Sequence, residues 1–159
     1  MPKSTAYLAL GTNLGDRQAN LKIAKGHLSA GIEIMKESSI YETDPWGFSN
    51  QPKFLNQVIR VRTDFNPFVL LWQLKRIERK MGRVKTFRNG PRLIDLDILF
   101  FEQRVIQKFY LQIPHPRLQE RAFVLIPLVE IAPDLTHPVL GLTAKELLSR
   151  INPEGVVRL

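Results

Sequence analysis

Apolar residues recur along this chain with two periods, near two and near four, and the switches between them mark its elements. Residues 5–10 (TAYLAL) form a short apolar run that predicts a buried first strand ending at Gly11. The turn residues of Gly11-Thr12-Asn13-Leu14-Gly15-Asp16 follow, with Asp16 placed to cap a helix over about 17–30. In that helix Leu21, Ala24 and Leu28 share a face. Residues 32–43 predict a long second strand, and 44–53 (DPWGFSNQPK) a loop that carries two aromatics. From 54 to 64 the pattern alternates: Leu55, Ile59 and Val61 point one way, Phe54, Asn56, Val58, Arg60 and Arg62 the other. Pro67 opens a second helix with Leu70, Leu74, Ile77 and Met81 as its apolar stripe, and Gly82 stops it. A basic loop leads into a strand over 93–101. Beyond a turn at Glu102-Gln103 the pattern predicts a short strand at 105–106, then helices over about 121–131 and 143–150.

The order strand, helix, strand, strand, helix, strand, then a C-terminal extension, predicts an α+β fold. Its form is a ferredoxin-like βαββαβ antiparallel sheet with both helices on one face. At 159 residues, 44% hydrophobic and 24% charged, the expectation is a single domain over 1–159 without repeats or low-complexity linkers. Such a scaffold hosts many activities, so function has to be read from particular residues.

Charge adds a location. Of the net +8, the segment from Lys75 to Arg92 supplies +7: eight basic residues against the single acid Glu78. A solvated helix face accounts for Arg76, Arg79 and Lys80 as well as a ligand does. The loop residues Arg83, Lys85, Arg88 and Arg92 lie among Gly, Asn and Pro instead, where an anionic ligand is the better reason for them. Cysteine is absent, which removes disulfides and thiolate metal sites. With no signal-peptide pattern and no apolar run near the ~18 residues of a membrane span, the expectation is a cytoplasmic protein without a membrane partner.

Immediately after the basic loop, Asp95 and Asp97 stand two apart in the predicted strand, on one face and roughly 6–7 Å apart along the chain. Like charges set among Leu, Ile and Phe repel and resist desolvation unless a cation joins them, and oxygen-only donors suit a hard ion, most simply Mg²⁺. An isolated D-x-D occurs on many half-exposed strands. Joined to Gly90-Pro91-Arg92 it becomes R-x-G-P-R-x-x-D-x-D, in which guanidinium forks for phosphate stand beside metal-binding carboxylates. His115, followed by Pro116-Arg117 and with Arg121 nearby, reads equally as a phosphate contact or as an ordinary loop histidine. Phe54 and Phe123 read first as core. Asn56, on the same strand face as Phe54, argues for a flat heterocycle there, because a buried amide needs several partners. Neither common nucleotide loop occurs, the Gly11–Gly15 spacing being too short for one, and the histidines are too scattered for zinc.

Five motifs together, AYLALGTNLGD, SxYETxPxG, QPxFLN, GPRLIDLDIL and PHPRLxERAFVLxPL, resemble the 6-hydroxymethyl-7,8-dihydropterin pyrophosphokinase family of folate biosynthesis over nearly the whole chain to about Pro133. The resemblance implies transfer of a pyrophosphoryl group from ATP to the hydroxymethyl oxygen of 6-hydroxymethyl-7,8-dihydropterin, releasing AMP, with two Mg²⁺ ions. It implies metal ligands at Asp95 and Asp97, and with Arg83 and Arg92 these form the catalytic set. Contacts to ATP fall on Glu78, Arg83, Lys85, Arg88, Arg92, Ile98, His115 and Arg121. The pterin pocket falls on Thr43, Asp44, Trp46, Phe54, Asn56 and Phe123, the ring lying between the two phenylalanines. A monomer is implied. Lys75, Asn89, Tyr110 and Gln112 depart from residues common in the family, which touches the detail of nucleotide binding and not the reaction. The Arg83–Arg92 loop is a candidate lid.

A different class, an RNA-binding module, also uses basic ferredoxin-like sheets. The chain lacks the K/R-G-F-G-F arrangement that such a module stacks on bases, and Asp95 and Asp97 would repel backbone phosphates. No nucleic-acid partner is expected. A pterin or nucleotide binder without turnover is separated from the enzyme by assay.

Overall fold

The computed structural model describes residues 2–28, 31–84 and 86–159. Its elements run β1 Ser4–Thr12, α1 Arg17–His27, β2 Ile32–Glu37, β3 Tyr41–Thr43, β4 Phe54–Thr63, α2 Pro67–Lys80 and β5 Asp95–Phe101. They continue with β6 Ile106–Lys108, β7 Leu111–Ile113, a 3₁₀ turn at Leu118–Glu120, α3 Ala122–Ile131, α4 Ala144–Leu148 and β8 Val156–Arg158. The main sheet has the order β5-β1-β4-β3-β8, with β2 also on β4, and every pairing in it is antiparallel.

Two cores sit on opposite faces of this sheet. Leu21 and Ala24 of α1 and Leu70, Leu74 and Ile77 of α2 pack on Leu8, Leu10, Leu55, Ile59, Leu96 and Ile98. On the other face Val124, Leu125 and Leu128 of α3, with Ala144 and Leu147 of α4, cover Tyr7, Val58, Leu99 and Phe100. The helix starts are where side-chain caps satisfy orphan N–H groups: Asp16 accepts from Ala19 N at 3.1 Å and Asn66 from Val69 N at 2.9 Å. At the far end of α2, Gly82 takes φ +87, a left-handed turn that glycine enters without strain.

Several boundaries differ from the sequence expectation. The first strand continues through Gly11 to Thr12, and the strand expected from 93 begins at Asp95. The first helix ends at His27, short of the expected 30; Ser29 and Ala30 lie outside the described residues. The expected long strand over 32–43 is broken at 38–40. Glu37 faces Ile59 and Tyr41 faces Asn56, so one residue is extra on this side. Ser38 donates its N–H to Val58 O and takes the Val58 N–H on its hydroxyl, while Ser39 turns to the Glu130 carboxylate on α3. Serine side chains that bind backbone or neighbours in this way compete with a regular ladder. The short strand expected at 105–106 lies at Ile106–Lys108 and forms a separate hairpin with β7. The C-terminal extension supplies the second helical layer and also a strand, β8, beside β3. Among the described residues, no helix is long and apolar enough to cross a membrane.

Candidate functional site

On the α3 side, the sheet face between the two ends of β5 and β3 is a trough. Period-two alternation puts Asp95 and Asp97 of β5 on this face, while Leu96 and Ile98 enter the opposite core. Across the ladder, Asp95 pairs with Gly11 and Asp97 with Ala9. Gly11 in turn pairs with Asn56 on β4, and Phe54 pairs with Thr43 on β3. The central strand thus carries the two smallest side chains, and the outer strands carry the functional ones. A Cβ at Gly11 would stand 3.0 Å from Asn56 Oδ1, so a side chain there would press on the Asn56 amide and raise the floor. The cleft encloses about 710 Å³, its open mouth included, and Trp46, Asn89, Arg92, His115, Arg121 and Phe123 form its walls.

The charged end is densely paired. Arg83 Nη1 donates to Asp95 Oδ1 at 3.0 Å and Arg92 Nη1 to Asp95 Oδ2 at 2.8 Å. Behind β5, Glu78 is buried; it accepts from Leu96 N at 2.7 Å and holds Arg83 Nη1 at 2.8 Å. Burial opposes the Arg83 charge, but Asp95 and Glu78 outweigh it and hold the guanidinium above its ordinary range. Asp97 has no ion-pair partner among the described residues. Burial, and then the Asp95 charge, push its carboxyl up to about 7, against the pull of Lys75 and Arg121. His115 is held down to about 4 by burial and by Arg121, with Asp95 opposing. Its Nδ1 accepts from Arg117 N at 3.2 Å, so the neutral ring carries its proton on Nε2.

The other end is aromatic. Arg121 places its guanidinium 4.7 Å from the Trp46 ring and 5.6 Å from that of Phe123, and Arg117 lies 5.3 Å from Trp46. Arg121 Nε is buried without a hydrogen-bond partner among the described residues. Asn56 donates through Nδ2 to Thr43 Oγ1 at 2.7 Å, which leaves its Oδ1 on the trough side of Gly11 as an acceptor.

Of the residues singled out from sequence, Thr43, Asp44, Trp46, Phe54, Asn56, Arg92, Asp95, Asp97, His115, Arg121 and Phe123 line one cleft. Arg83 joins it through Asp95. Three do not reach it with their side chains: Glu78 lies behind β5, Ile98 faces the opposite core, and Arg88 is exposed on its loop. Lys85 lies outside the described residues. Sequence reasoning missed Ala9, Leu99 and Val124 as lining, and it gave Asn13 no part beyond the turn. Asn13 donates to Gln51 Oε1 and to Pro52 O, both at 2.9 Å, and accepts from Arg92 N at 2.7 Å. It ties the aromatic loop to the basic one. The available signal was a polar residue that directly follows a strand in a turn already rich in glycine.

A magnesium ion fits the carboxylate end on its own chemistry. Asp97 is an acidic oxygen donor whose ionisation is opposed first by burial and then by the Asp95 charge, and a bound cation would offset both. Among the described residues no cluster of three or more His, Cys, Asp or Glu converges there. The protein therefore offers two carboxylates and leaves the remaining positions to water and ligand oxygens, as Mg²⁺ commonly requires.

A family model described as 7,8-dihydro-6-hydroxymethylpterin-pyrophosphokinase matches residues 7–133. The chain is 43% identical over 155 residues to the 2-amino-4-hydroxy-6-hydroxymethyldihydropteridine pyrophosphokinase of Aquifex aeolicus, covering 98% of this chain and 94% of that protein. To the Bacillus subtilis protein of the same name it is 48% identical over 128 residues, 79% and 77% of the two chains. It is also 45% identical over 146 residues to the Folic acid synthesis protein fol1 of Pneumocystis carinii; that match covers 91% of this chain and only 20% of the longer relative. A solved HPPK-DHPS structure from Plasmodium falciparum superposes with a TM-score of 0.78 at 19% identity, over 98% of this chain and 48% of that one, which shows a shared fold.

Proposed function

The chain belongs to the 7,8-dihydro-6-hydroxymethylpterin-pyrophosphokinase family, and from that premise we propose that it transfers a pyrophosphoryl group from ATP to 6-hydroxymethyl-7,8-dihydropterin in folate biosynthesis. The hydroxymethyl oxygen forms a bond to the β-phosphorus, the bond from that phosphorus to the α-phosphate oxygen breaks, and AMP leaves. One observation carries the reading: a single open trough joins a carboxylate-and-guanidinium end to an aromatic-and-amide end. Those are the two chemistries that a metal polyphosphate and a flat heterocycle need, at a distance that lets them meet.

Asp95 and Asp97 would hold Mg²⁺, which when bound supplies charge neutralisation of the polyphosphate and acidifies a hydroxyl that approaches it. Arg83 and Arg92, now paired with Asp95 through one Nη1 each, keep further donors for phosphate oxygens, and Glu78 aims Arg83 from behind. His115, neutral near pH 7, donates from Nε2 to an anionic oxygen without adding charge. Arg121, fixed between Trp46 and Phe123, brings to the junction of the two ends a cation whose Nε–H has no partner among the described residues. Phe54 and Phe123 flank the pterin ring, Asn56 Oδ1 accepts from its amide edge, and Thr43 and Asp44 close that edge. In-line displacement at phosphorus asks a protein mainly for such positioning and charge stabilisation.

The finer architecture belongs to the same reading. The strand order β5-β1-β4-β2 with α1 and α2 in one core supports a ferredoxin-like arrangement. A cytoplasmic monomer, one pyrophosphokinase unit over 1–159 that uses two Mg²⁺, completes it. The test is product analysis. With ATP, Mg²⁺ and the hydroxymethyl pterin, the protein should release AMP in step with pterin pyrophosphate; release of ADP would mean simple phosphoryl transfer and overturn the proposal.

A further inference from the structure

The family match ends at residue 133, yet residues well beyond it brace β3, the strand that brings Thr43 and Asp44 to the cleft. β3 is only three residues long, Tyr41–Thr43, and it carries Thr43 and the adjoining Asp44 into the trough. β4 holds one side of it. The other side is held by the C-terminal strand: Tyr41 pairs with Arg158, Glu42 with Val157 and Thr43 with Val156. Asp44 N donates to Gly155 O at 3.1 Å, and Leu159 N donates to Ile40 O at 3.0 Å. Without β8, a three-residue strand just past a bulge would be the open edge of the sheet, and short edges of that kind open locally at low cost.

We propose that the C-terminal segment Gly155–Arg158 is a positioning element of the substrate pocket, fixing Thr43 and Asp44 at the heterocycle end while leaving the polyphosphate end untouched. The proposal rests on the pterin-pocket reading above. Its physical basis is the asymmetry of the trough. Asp95 and Arg92 belong to β5 and its loop, on the far side of β1 and β4 from β8. Loss of β8 therefore loosens one end alone. Thr43 Oγ1 is the acceptor that orients the Asn56 amide, so a shift of β3 also frees that amide to rotate. At Gly155 the approach is close. Its φ is +82, and a Cβ there would stand 2.8 Å from Asp44 Oδ2. Gly141 offers an internal comparison, with φ +71 and nothing within 4 Å of the added carbon. Alanine strains the backbone at both positions but displaces a pocket carboxylate at only one.

Three variants test this: Gly155→Ala, Gly141→Ala, and a chain ending at Pro153. Each is assayed for the KM of pterin and of ATP, kcat, melting temperature, and amide hydrogen exchange over residues 41–44. Gly155→Ala is expected to raise the pterin KM about tenfold or more, the net worth of one hydrogen bond to a charged group, with the ATP KM within about twofold of the parent. Gly141→Ala should lose similar thermal stability and keep the pterin KM. The shortened chain should lose exchange protection at 41–44 and show the same KM split. An unchanged pterin KM in Gly155→Ala, or equal rises in both alanine variants, overturns the proposal even if the shortened chain fails to fold. If the parent protein binds no pterin, the proposed function fails first and takes this inference with it.

Discussion

Asp97, proposed above as a metal ligand, is a side chain held in the fold at the expense of stability. Its carboxyl is raised to about 7 from an ordinary 3.8, by burial and the Asp95 charge. The folded state then binds a proton that the unfolded chain has already released, so stability falls as pH rises from about 4 to 7 and stays low above that. Asp97→Asn removes the charge and keeps the shape. In metal-free buffer at pH 8 it should melt at a higher temperature than the parent, while kcat drops on the order of 10² to 10³. A variant that melts lower at pH 8 would show that Asp97 is not held against its preference. His115 has the opposite sign. Its folded value of about 4 lies below the ordinary 6.5, because burial and Arg121 exclude the proton. Protons then favour the unfolded chain, and the His115 contribution is lost as pH falls from about 6.5 through 4. The stability difference between the parent and His115→Gln should therefore change with pH inside that window and be constant above it, as urea titrations at several pH values would reveal.

At the scale of elements, segments with a clear period were legible, the long strand expected over 32–43 was broken in two, and the shortest strands near the C-terminus were missed. α2 declared itself by Pro67, a four-residue apolar stripe and Gly82, and β4 by its alternation. β4 and β5 also gave most of the site, because period two fixes which residues share a face: Phe54 with Asn56, and Asp95 with Asp97. β7 and β8 have three residues each, too few to show a period, and form because a partner strand awaits them. The role of Glu78 was hidden for a similar reason. From sequence it read as the one acid in a basic run and, through the resemblance, as an ATP contact; only the approach of β5 buries it against Leu96 N and Arg83. Asn13 belongs to the same class of contact, made between segments far apart in sequence. It is almost fully buried and links β1, the 44–53 loop and the loop holding Arg92. Asn13→Ala strands the Arg92 N–H and should cost about 1–3 kcal/mol in chemical denaturation. Exchange should rise in both loops together. A rise confined to one loop would show that they are latched separately.

Across the whole molecule, charge and burial are arranged along different axes. Two cores clamp the sheet from above and below, which makes the trough floor rigid, while nearly all the excess positive charge lies in the Lys75–Arg92 segment at one end of it. Under the proposed function that end would face the ligand with several negative charges, and the other end a neutral ring. The two substrates should therefore respond differently to salt. Exposed charges more than ~8 Å apart are largely screened at physiological ionic strength, so the field that gathers ATP weakens as salt is added, whereas the stacking of a neutral ring does not. Raising salt from about 0.05 M to about 0.3 M should lift the KM for Mg-ATP roughly threefold or more and leave the KM for the pterin near its starting value. Parallel rises in both would mean that salt acts on the folded protein and not on the approach of its anionic substrate, and the basic segment would then have to be explained as a solvated surface.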